Sequence, residues 1–110
     1  MAETELPSEY RFEVSTVLGF QVRVTRTYWD LIVSIKHPVM AGREDVVKDV
    51  LENPSEIRQS KNDPKVYLFY KPEGTRRWIC AVAKRLDGGG FLITTYLTDA
   101  IKEGEVIWPR

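Results

Sequence analysis

The chain holds a single histidine, His37, in the run Ser34-Ile35-Lys36-His37-Pro38. Proline disfavours helical geometry at the residue before it, so the imidazole sits where a helical segment must stop. A histidine side chain exchanges its proton near neutral pH, which suits it to acid–base work. Arg58, Lys84 and the run Thr94-Thr95-Tyr96-Leu97-Thr98 follow later in the chain. An imidazole, cations and hydroxyls are the groups needed to break a phosphodiester without a metal. In RNA a base takes the proton of the ribose 2′-hydroxyl and an acid protonates the leaving 5′-oxygen, while a cation stabilises the charged phosphorane.

His37 is the candidate base or acid. Arg58 is the candidate phosphate clamp, because its planar fork grips two oxygens at once. Tyr96 and Thr98 are candidates to hydrogen-bond the phosphate or to move a proton. The candidate catalytic set is therefore His37, Arg58, Tyr96 and Thr98. Ser60, Lys84, Tyr67 and Thr94 form the candidate substrate-binding set, with Lys84 adding charge and Tyr67 offering a ring to a base. The competing reading treats the histidine as a hydrogen-bonded structural residue and the tyrosines as packing.

Other chemistries find little support. Cys80 is the only cysteine, so an internal disulfide and a cysteine-rich zinc site are excluded. It lies in Trp78-Ile79-Cys80-Ala81-Val82, where a buried, inert thiol is expected. No metal and no cofactor is expected. Gly88-Gly89-Gly90 has no following Lys-Ser/Thr helix start, so it reads as a hairpin turn and not as a phosphate loop. Asp63 and Asp99 stand in turn and cap contexts, where aspartate needs no functional reason.

With 110 residues the chain suffices for one domain and one core. Sixteen Lys and Arg balance sixteen Asp and Glu. That zero formal charge counts against strong non-specific nucleic-acid binding, which rests on many phosphate contacts. A local basic patch from Arg76, Arg77, Lys84 and Arg85 remains compatible with it. No apolar run is long enough to span a membrane. The acidic start lacks the features of a signal peptide, so a cytoplasmic protein without membrane contact is expected.

The elements follow from periodicity. Residues 1–9 read as a disordered acidic leader, and residues 10–110 as a single domain. Tyr10–Ser15 and Phe20–Thr25 alternate apolar and polar residues, the pattern of strands in a hairpin. Tyr28, Leu31, Ile32 and Ile35 recur at helical spacing, predicting a helix over about 27–36. Its expected cap is Thr25 or Thr27, with Asp30 in the first turn. Val46, Val47, Val50 and Leu51 make the stripe of a second helix, closed by Asn53-Pro54. Strands are expected at 56–60, 66–70, 78–83 and 91–97, with a short helical turn over 98–104. Trp78–Ala83 is almost continuously apolar, which predicts a central strand covered on both faces. In the last strand Thr94, Tyr96 and Thr98 share one face, and Phe91, Ile93, Thr95 and Leu97 the other, expected to be the core face. The fold class expected is α+β: an N-terminal hairpin, two helices, then a three- to four-stranded antiparallel sheet packed against the helices.

This order and these residues resemble the barnase–EndoU–colicin–RelE nuclease superfamily, in its small phage- and bacterial-type domains. The resemblance rests on Lys36-His37-Pro38, Asn53-Pro54-Ser55-Glu56-Ile57-Arg58-Gln59-Ser60, Val66-Tyr67-Leu68-Phe69-Tyr70, Ala83-Lys84-Arg85 and Phe91 to Thr98. It covers roughly residues 25–108. It implies a metal-independent ribonuclease-like fold of toxin or effector type, with RNA as substrate and a protein inhibitor or antitoxin as partner. It implies His37, Arg58, and Tyr96 or Thr98 around the scissile phosphate. The RelE branch is strongly basic and this chain is neutral, and residues 1–24 lie outside the match. The alternative is a non-catalytic protein-interaction module on the same fold, which the neutral charge suits. A structural protein without a ligand is the third reading.

Overall fold

A computed structural model describes residues 9–101 and 103–109. The protein is α+β, with two helices and one mixed sheet. Strands β1 (Tyr10–Ser15) and β2 (Gln21–Thr25) form the N-terminal hairpin. Helix α1 (Arg26–Leu31) continues as a π-helical turn over Ile32–Lys36, and α2 spans Glu44–Glu52. Strands β3 (Glu56–Gln59), β4 (Val66–Pro72), β5 (Trp78–Leu86), β6 (Gly89–Thr98) and β7 (Glu105–Trp108) complete the sheet. The expected leader lies, apart from Glu9, outside the described residues.

The sheet is larger than the antiparallel sheet expected. Among the described residues it has seven strands in the order β1-β2-β6-β5-β4-β3-β7. The hairpin is not separate from it: β2 joins β6 in parallel through Val22↔Gly90 and Arg23↔Phe91. All other neighbours are antiparallel. Periodicity gives β1 to β6 but no partners and gives no β7, and both the parallel contact and β7 on β3 link residues far apart in sequence. β5 stands at the middle of the sheet, and Ile79 to Ala83 are all buried, as an unbroken apolar run requires.

Both helices pack on one face. There Phe12, Val22, Trp29, Ile32, Val47, Leu51, Phe69 and Leu92 form the main core, with Trp29 edge-on to Phe12. α1 begins one residue earlier than expected. Thr25 caps it by accepting the Tyr28 amide at 3.0 Å, which leaves Asp30 beyond the first turn. The opposite, open face carries a smaller cluster of Leu68, Tyr70, Cys80 and Val82. The chain crosses this face from β6 to β7. The helical turn expected over 98–104 is absent from the described residues there, which form a bend. Gly104 fixes the crossing on β3: its φ is +78°, and a Cβ would stand 2.5 Å from the Gln59 carbonyl oxygen.

One irregularity sets which side chains face the site. Val82 pairs with Thr94, but Ala83 pairs with Leu92, so Ile93 is an extra residue in β6. Beyond it the alternation inverts. Thr95 and Leu97 lie on the helix side as expected, whereas Phe91 and Ile93 lie on the open face and Leu92 enters the core. An inserted residue flips every side chain beyond it.

Candidate active site

His37 ends the π-helical turn, with its amide donating to the Ile32 carbonyl at 2.7 Å, five residues back. This wide turn, followed by Pro38, brings the imidazole to the edge of β6. Tyr28 fastens the helix there: its hydroxyl donates to the Ile93 carbonyl at 2.7 Å, at the extra residue of the strand. His37 then meets Tyr96 with ring centroids 5.5 Å apart and planes tilted by 40°. Among the described residues neither imidazole nitrogen is hydrogen-bonded, so both are available to a ligand.

The two rings stand in the wall of a cavity of about 420 Å³. Thr94 and Thr98 from β6, Tyr70 from β4, and Asp99, Ala100 and Glu103 from the crossing complete it. Four of the residues picked out by type and spacing are thus together: His37, Thr94, Tyr96 and Thr98. Their hydroxyls differ in freedom. Thr98 Oγ1 donates to the Ala100 carbonyl at 2.8 Å and accepts that residue's amide at 3.2 Å, so it holds the rim of the cavity. Thr94 Oγ1 is buried and has no partner among the described residues.

A polar trio includes two of the lining residues and one thiol buried beneath them. Tyr70, Cys80 and Tyr96 are direct cross-strand neighbours on β4, β5 and β6. Burial lifts both phenols well above the ordinary tyrosine range, and the adjacent thiol adds to the rise. Burial also pushes the Cys80 thiol up to about 12, although hydrogen bonds with the two phenols pull the other way. Tyr96 is therefore neutral at physiological pH, a hydrogen-bond donor and not a base. Cys80 is fully buried and un-ionised, so it is no nucleophile.

The other sequence candidates lie elsewhere. Arg58 is on the open face, in the cross-strand row Arg58, Leu68, Val82, Thr94. Three inter-strand steps separate it from Thr94, roughly 14 Å. Its Nε is 2.5 Å from Glu56 Oε2 and its Nη1 donates to the Gly104 carbonyl at 3.4 Å, so it anchors the crossing. Lys84 is four residues along β5 from Cys80, roughly 13 Å, and pairs with Asp63 at 3.1 Å. Ser60 accepts the Asn62 amide in the β3–β4 turn. Tyr67 faces the helix side and packs on Phe20, with centroids 5.8 Å apart.

Tyr70, Asp99 and Glu103 lay outside the candidate sets read from the sequence, and Arg77 entered that reading only as part of a basic patch. Arg77 is exposed and lines a neighbouring hollow that shares Thr98 and Asp99 with the main cavity. The parity of β4 could have flagged Tyr70, but the crossing that delivers Asp99 and Glu103 leaves no periodic signal. Among the described residues no three His, Cys, Asp or Glu side chains converge as a metal-binding group, and no helix is long and apolar enough to cross a membrane. Comparison with protein-family models, curated proteins and solved structures finds no match to this chain.

Proposed function

We propose that the protein is a metal-independent endoribonuclease-like domain of toxin or effector type, related to the barnase–EndoU–colicin–RelE superfamily. It cuts RNA by acid–base transphosphorylation. The observation that carries this reading is the His37–Tyr96 pair in a cavity beside an unpartnered Thr94 hydroxyl. His37 transfers a proton, and Asp99 or Glu103, the remaining ionisable groups on the wall with a carboxylate, serves as its counterpart. Tyr96 and Thr94 donate hydrogen bonds to the phosphate. Arg77 supplies positive charge from the rim, and Arg58 acts on the fold and not on the scissile group.

The test is incubation of the purified protein with mixed RNA in EDTA. Cleavage by the wild type, with a loss of about 10²- to 10⁴-fold in His37→Ala, is expected. No cleavage across a wide range of pH and salt would overturn the reading.

One observation favours a second reading, a non-catalytic protein-interaction module. Among the described residues the cavity wall carries two carboxylates, Asp99 and Glu103, and no lysine or arginine. Such a wall suits a cationic side chain of a protein partner. Binding of an arginine-rich peptide that depends on Asp99 and Glu103, without RNA cleavage, is its expected signature.

A further inference from the structure

A second cavity opens on the same side of β6, where β2 and β6 part. Their parallel contact ends after Arg23↔Phe91, because the chain leaves β2 for α1 at Thr25. The space left beside β6 measures about 280 Å³. Tyr10, Arg23, Tyr28 and Phe91 line it. Phe91 is 39% exposed, a large apolar ring left open to solvent although alternation assigns it to the core face.

Cations stand over these rings. The Arg23 guanidinium lies 5.3 Å from the centre of the Tyr10 ring. Lys36 Nζ lies 5.3 Å from the centre of the Tyr28 ring and donates to its hydroxyl at 3.2 Å. Among the described residues no carboxylate lines this cavity. Glu13 faces Arg23 across the β1–β2 ladder, yet no ion pair joins them among the described residues. Among the described residues the two linings differ: the first carries carboxylates and no lysine or arginine, the second an arginine and no carboxylate. Lys36 adjoins the second and precedes His37, which lines the first.

We propose that this aromatic, cationic cavity is a subsite for single-stranded RNA, taking a base on Phe91 and its phosphate on Arg23 and Lys36. The identity of the ligand rests on the ribonuclease reading of the His37 cavity. The supporting chemistry is independent of cleavage: unstacked bases bind to exposed aromatic rings, and neighbouring cations hold the backbone. Spacing fits a continuous strand. Phe91 and Tyr96 share one face of β6 and lie about 15 Å apart by strand rise, a span that extended RNA covers in a few nucleotides.

The experiment measures binding of a fluorescent 2′-O-methyl RNA oligonucleotide, which cannot undergo transphosphorylation, to the full chain. Phe91→Ala is expected to weaken binding about tenfold, with Phe91→Tyr restoring it. Arg23→Gln is expected to lower the slope of log affinity against log salt by about 0.7. Thermal melts identify variants that keep the fold, and Lys61→Gln, at an exposed position of the β3–β4 turn, serves as the control. Wild-type binding that Phe91→Ala and Arg23→Gln leave intact overturns the subsite, as does no binding by the wild type. Failure to cleave ordinary RNA while these variants still weaken oligonucleotide binding overturns the ribonuclease reading alone.

Discussion

The rings of His37 and Tyr96 meet at 5.5 Å, although 58 intervening positions separate them along the chain. The imidazole arrives from the end of a π-helical turn, and the phenol rises from the sixth strand. The phenol is flanked across the strands by Tyr70 and Cys80, whereas among the described residues the imidazole makes no side-chain hydrogen bond and packs on the Tyr96 ring. The phenol and the imidazole therefore share one cavity wall.

Their roles separate kinetically. Tyr96→Phe keeps the ring that packs on His37 and removes one hydrogen-bond donor. The expected result is a fall of about 10²-fold in the rate of RNA cleavage, with KM little changed. Because burial keeps the phenol neutral through the physiological range, the pH profile of cleavage keeps its shape in Tyr96→Phe. A profile that shifts would mean that Tyr96 itself titrates.

Arg58 tests fold against chemistry. Its pair with Glu56 is about three-quarters buried, and its second contact holds the chain crossing at Gly104. Arg58→Ala leaves the Glu56 carboxylate without its partner and is expected to cost about 1–2 kcal/mol. For a domain of this size that lowers Tm by roughly 5–10 °C. Cleavage measured well below the melt is expected to fall far less than in His37→Ala. A large loss of cleavage with an unchanged melt would return Arg58 to the phosphate.

High pH should unfold the protein through the polar trio. Tyr70, Cys80 and Tyr96 all have raised ionisation in the folded state, so each is stabilising while neutral. The contribution is complete below the unfolded values, about 8.5 for a thiol and about 10 for a phenol. Above them the unfolded chain has released protons that the fold retains, and stability falls by about 1.4 kcal/mol per pH unit for each such group. For Cys80 the loss runs up to about 12. Urea melts from pH 7 to 11 are expected to show the decline steepening near 10, and Tyr70→Phe to flatten it. The native thiol is expected to resist labelling by a disulfide reagent at pH 8 until the protein unfolds.

Gly104→Ala probes the cavity rim. The new Cβ meets the Gln59 carbonyl oxygen at 2.5 Å, and the residue must hold a φ of +78°. A loss of about 1–3 kcal/mol is expected from the strained backbone. Because the crossing carries Asp99 and Glu103 onto the cavity, faster labelling of Cys80 in the folded state should accompany it. An unchanged melt and an unchanged labelling rate would show that the crossing is not pinned there.

Local order fixed much of this molecule. The stop at Pro38, the cap at Thr25, the stripe of α2 and the shared face of Thr94, Tyr96 and Thr98 all follow from rules that act within a few residues. The central place of β5 was legible because a strand covered on both faces has no polar alternation. Tertiary structure decided the rest. The extra residue at Ile93 moved Phe91 onto the open face, and no neighbouring side chain announces such an insertion. Strand order put Arg58 three strands from Thr94, although both share a face. Periodicity specifies the face of a residue, but its neighbours across the sheet depend on which strands pair, a choice made by burial over the whole chain.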